Sequence, residues 1–146
     1  MMKMTLSCGL IAAAMAFSTS ATAQDYPADP GDFTDISMID VLPGGDLAYT
    51  QFLASSWKKQ QEFAKSKGWI KSYKVMANLY PRAGEPDLYL MVTYADFPNA
   101  KEALQQRAAY MQWQAKSLQT LDQENGDRGK YRVVMGSMLF QDVLLK

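Results

Sequence analysis

No histidine occurs in this chain of 146 residues, and cysteine occurs once, at Cys8. The first absence removes the imidazole base of acid–base and nucleophilic catalysis and the commonest metal ligand. The second removes an internal disulfide. An excess of one charge is absent too: 15 Lys and Arg stand against 15 Asp and Glu. With no long basic run, no nucleic-acid partner is expected. No uninterrupted apolar stretch approaches the roughly 20 residues of a membrane span.

What is present begins with a leader. Lys3 supplies a short positive region, Leu6 to Phe17 an apolar one, and Ala21-Thr22-Ala23 the small residues of a cleavage site. Residues 1–23 therefore read as a signal peptide cut before Gln24, and the protein as periplasmic or secreted. Cys8 leaves with that peptide, and Thr5-Leu6-Ser7 before it is a poor lipobox. The remaining 123 residues (146 less 23) carry 14 Lys and Arg, 15 less Lys3, against 15 Asp and Glu, a net charge of −1. That length makes one domain, able to bury a core without covalent staples.

Residues 24–33, with Pro27, Pro30 and Gly31, read as an extended, solvated segment, and 34–146 as the folded domain. Ile36 to Leu42 is a short strand stopped by Pro43-Gly44-Gly45. Asp46 reads as the N-cap of a helix to Lys67, with Tyr49, Phe52, Leu53, Trp57, Phe63 and Ala64 on one stripe and Gly68 as its C′ residue. Trp69 to Tyr80 and Leu88 to Tyr94 alternate as two strands of a hairpin. Asn99 and Glu102 form a capping-box pattern before a second helix to about Glu124, which is predicted to bury Ala100, Leu104, Ala108, Met111, Ala115 and Leu118. Tyr131 to Leu145 is the last strand, kinked at Gly136.

This β-α-β-β-α-β order predicts an α+β protein of ferredoxin-like βαββαβ topology, a four-stranded antiparallel sheet with two helices on one face. The other sheet face would carry Lys74, Met76, Asn78, Tyr80, Tyr89, Met91 and Thr93. An apolar-aromatic face needs a cover, and a second copy of the chain is the simplest one.

The order and lengths of these elements, with the passage Tyr94-Ala95-Asp96-Phe97-Pro98-Asn99-Ala100 between the third strand and the second helix, resemble the dimeric α+β-barrel superfamily. The similar branches are the antibiotic-biosynthesis-monooxygenase-like and NipSnap-like ones, and the resemblance covers Asp35 to Leu145. It implies a homodimer whose two sheets form a shared barrel. It also implies a range of activities, from cofactor-independent oxygenases to haem-degrading enzymes. The absence of histidine sets the His-ligated haem branches aside.

Two readings of the exposed face follow. In one, Lys74, Met76, Asn78, Tyr80, Tyr89, Met91 and Thr93 line a pocket for a small hydrophobic molecule, or simply pack a dimer interface. In the other, Asn78, Tyr80 and Tyr89 position an aromatic substrate for cofactor-independent monooxygenation. A third reading makes Tyr110 and Trp113 the contact patch of an envelope interaction module. The methionines are dispersed without the clustering of a copper site and read as core filling. No GxGxxG or Walker pattern accompanies Gly44-Gly45, and the aspartates sit at strand and helix ends. No metal and no cofactor is expected.

Overall fold

A computed structural model describes residues 26–146. The predicted signal peptide, its cleavage point and residues 24–25 lie outside the described residues. Four strands and three helical runs follow one another: β1 (Ala28–Val41), a run of α1 (Asp46–Phe52), a π-helical segment (Leu53–Trp57) and α2 (Lys58–Ser66), then β2 (Ser72–Ala77), β3 (Leu88–Tyr94), α3 (Ala100–Gln114), α4 (Leu118–Asp127) and β4 (Arg132–Leu145). The strands form one antiparallel sheet in the order β2-β3-β1-β4. This is an α+β architecture, compatible with a ferredoxin-like arrangement. Among the described residues no helix is long and apolar enough to cross a membrane.

The first strand is longer than predicted. It starts at Ala28 rather than Ile36, because β4 is long enough to pair with it: Ala28 faces Leu145 and Asp29 faces Leu144. Pro30 hides this stretch in the sequence. β3 reaches only to Phe33, so Pro30 has a strand neighbour on one side alone, the edge position that a residue without an N–H tolerates. A register shift between Pro30 and Phe33 absorbs Gly31, where an added Cβ would stand 2.8 Å from Asp142 Cβ. The kink expected at Gly136 is present, as a second register shift beside Met38 and Ile39.

The core lies between one sheet face and the first helical run. Ile39 and Leu90 from the sheet meet Tyr49 and Leu53 from the helix, with Phe52, Trp57, Leu88 and Tyr131 around them. The predicted stripe is the reason: its members Tyr49, Phe52, Leu53 and Trp57 all reach this cluster. Trp57 stands edge-on over Tyr73, 5.4 Å between ring centroids. Gly68, at φ +70°, ends the run as expected, with Trp69 N–H donating to the Ala64 carbonyl in the manner of a Schellman turn.

The second predicted helix is corrected. Ala115 adopts φ 51° and ψ 33°, the left-handed region, and ends α3; Ser117 then caps α4, its hydroxyl accepting from Thr120 N–H. Leu104 and Leu118, predicted to be buried, are exposed, and neither α3 nor α4 contains a fully buried residue. What attaches α3 is aromatic. Trp113 stacks on Phe63 of α2 at 4.4 Å, and Tyr110 lies 5.9 Å from Trp113. The two aromatics assigned to an outer contact patch thus spend one face inside the molecule, although Trp113 keeps 41% of its surface exposed.

Candidate functional site

Strand pairing fixes the sheet face opposite the core cluster, because residues directly across an antiparallel ladder point the same way. Three rows run across it. Ser72, Thr93, Thr34 and Phe140 form the first; Lys74, Met91, Ile36 and Met138 the second; Met76, Tyr89, Met38 and Gly136 the third. Of the seven residues predicted for this face, Lys74, Met76, Tyr89, Met91 and Thr93 are brought together here. The Thr34 and Thr93 hydroxyls lie 3.4 Å apart, and they are the first row's polar centre.

Asn78 and Tyr80 do not join them. β2 ends at Ala77, and both residues belong to the loop that follows. Asn78 is held by its own turn: its Oδ1 accepts from Tyr80 N–H at 3.3 Å, and its Nδ2 donates to Glu85 at 3.5 Å. Asparagine side chains favour such local bonds in turns, while the Asn78 N–H still donates to the Asp87 carbonyl at 2.7 Å. Tyr80 projects into solvent, 89% exposed.

The methionine reading is corrected as well. Met38, Met76, Met91 and Met138 all lie in the three rows, away from the core cluster. Their dispersal in sequence conceals this, since each strand contributes one of the four. The face continues into an edge. β4 has one strand neighbour, and Val133, Val134, Met135, Leu139, Phe140 and Leu144 along it are all exposed.

A second concave region lies on the helix side. A cavity of about 730 Å³ opens between the π-helical segment, the end of α3, α4 and the 3-10 turn Arg128–Lys130. Phe52, Tyr110, Trp113 and Tyr131 are its aromatic walls, and Lys59, Lys116, Arg128 and Lys130 its cations. Burial pushes the Tyr110 phenol above its ordinary value of 10.0, with the hydrogen bond from Gln114 and the Lys116 and Arg128 charges opposing. Arg128 stands outside the predicted set because an arginine within Asp127-Arg128-Gly129-Lys130 reads as part of a solvated turn. The sole signal in its favour is the cluster of aromatics, Tyr110, Trp113 and Tyr131, on either side of it in the chain.

No family model, no curated protein and no solved structure matches this chain. Its chemistry therefore rests on the two surfaces just described.

Proposed function

We propose that this is an exported, non-enzymatic binding protein that works as a homodimer, with the methionine-rich sheet face turned toward its copy. In this reading the fold is ferredoxin-like, the two sheets form a shared barrel, and a small hydrophobic molecule sits inside or near it. The observation that carries it is the three-row face: Ile36, Met38, Met76, Tyr89, Met91, Met138 and Phe140 gathered on one surface of a small domain. Moving a large apolar side chain fully out of water contributes about 1.5–3 kcal/mol, so a face of seven has more to gain from a cover than any other surface described. Methionine suits it, because a flexible, polarisable thioether can repack around a partner or ligand. The exposed apolar edge of β4 adds the backbone groups through which a second copy can align.

The oxygenase reading has less support. Two of its three positioning residues, Asn78 and Tyr80, are in a loop, one committed to its turn and the other in solvent. Native mass spectrometry of the protein isolated from its own cells tests the proposal. A dimer with added mass is the expected result, and the added mass begins to identify the molecule. A dimer without it removes the ligand and leaves the interface, and a monomer sinks both.

A further inference from the structure

The helix-side cavity carries an inference of its own, independent of the sheet face. Arg128 Nε is buried and has no hydrogen-bond partner among the described residues. The guanidinium lies 4.4 Å over the Phe52 ring, and Nη2 donates to Asn125 Oδ1 at 3.3 Å. A partly buried guanidinium over an aromatic ring is poorly solvated, and an acceptor reaching its outer donors is most favourable if it carries negative charge.

The surrounding charges give the same sign. Lys116 is paired with Glu124 at 2.5 Å and Lys130 with Asp127 at 3.4 Å. Those two carboxylates are thereby matched, and no ion pair among the described residues includes Arg128 or Lys59. Tyr110 points to the same class of ligand. Its oxygen accepts from Gln114 Nε2 at 2.6 Å, so the phenolic O–H remains available to donate. The cavity, about 730 Å³ and lined by four aromatic side chains, has a volume in the range of small-molecule sites.

The backbone around the cavity is also unusual in two places. The π-helical segment contributes Ser56 to one wall, and left-handed Ala115 sits between wall residues Gln114 and Lys116. π-Bulges and non-glycine left-handed residues both carry a cost and concentrate where a site is shaped.

We propose that this cavity binds a small organic anion with a planar aromatic body, an aromatic carboxylate in the simplest case. Its carboxylate accepts from Arg128 and its ring lies along the aromatic walls. Calorimetric titration of the purified protein with 2-naphthoate and with its neutral analogue 2-naphthamide tests this. Naphthoate is expected to bind saturably, and the amide at least about tenfold more weakly, the difference a charge-assisted bond makes. Arg128→Gln is expected to bring naphthoate down to the level of the amide. Leu79→Ser, at an exposed position of the loop between β2 and β3 and outside both surfaces, is expected to leave naphthoate binding unchanged. If Arg128→Gln proves unfolded by circular dichroism, Lys59→Gln, at an exposed helix position, is expected to weaken naphthoate but not the amide. No saturable naphthoate binding up to millimolar concentration, equal binding of acid and amide, or an unchanged affinity in Arg128→Gln would overturn the proposal. So would loss of naphthoate binding in Leu79→Ser, which would place the site elsewhere.

Discussion

Tyr49 is the most enclosed side chain of the core, 1% exposed, and it is held between Phe52 at 5.8 Å and Tyr131 at 6.1 Å. Burial raises its phenol above the ordinary 10.0; the Arg132 and Arg128 charges oppose that and Tyr131 adds to it. The sign follows directly. Below pH 10 both folded and unfolded chains keep the proton, so the contribution is fully present. As pH rises beyond 10 the unfolded chain ionises first, and stability is lost until the folded phenol also ionises. Urea midpoints measured between about pH 8 and 11 are expected to fall at the alkaline end, and Tyr49→Phe to flatten that fall. A remainder is expected in the variant, because Tyr94 and Tyr110 shift the same way with burial as the leading cause. Much at this level was readable beforehand: alternation alone placed Lys74, Met76, Tyr89, Met91 and Thr93 on one face. Asn78 and Tyr80 were not, since alternation persists past the point where Asn78 turns to its own backbone. Arg128 could not be singled out, because its place over the Phe52 ring, 76 positions away in the chain, is set by the tertiary fold.

Helix ends show the same division. The Asn99–Glu102 box is complete: Asn99 Oδ1 accepts from Glu102 N–H and Glu102 Oε2 from Asn99 N–H, each at 3.0 Å. Asn99→Ala is expected to cost about 1 kcal/mol. Because α3 is attached mainly through Trp113 and Tyr110, hydrogen exchange should show the loss first in the α3 amides. The break at Ala115 was not readable. Alanine is the best helix former, and neither glycine nor proline marks the position, so the periodic pattern runs straight through it. Its left-handed backbone costs an L-residue roughly 1–2 kcal/mol, a penalty glycine does not carry. Ala115→Gly is therefore expected to stabilise the protein by about 0.5–1 kcal/mol after the extra entropy of unfolded glycine is deducted, seen as a higher urea midpoint with unchanged slope.

For the molecule as a whole, element order and hairpin were evident from period and punctuation, while the extent of pairing was not, since no local signal records how far β4 runs beside β1. Phe140, 50% exposed at the end of the first row, is the place to interfere with self-association. Phe140→Glu is expected to abolish any rise of melting temperature with protein concentration, the signature of a dimer coupled to folding. The β1–β4 ladder has a further consequence, for the order of events in time. Ala28 and Leu145 are 117 positions apart, so the longest pairing in the sheet joins the stretches made first and last among the described residues. Contacts of that separation are slow to form, because nearly the whole intervening chain must be closed into a loop before they contribute. A nascent chain that has not yet reached Arg132 has no partner for the β4 side of β1. Ribosome-stalled chains ending before Arg132 are therefore expected to be cleaved freely by protease, and chains in which β4 has cleared the ribosome to be protected. Closure of the sheet waits until β4 has been made, however early β1 leaves the ribosome.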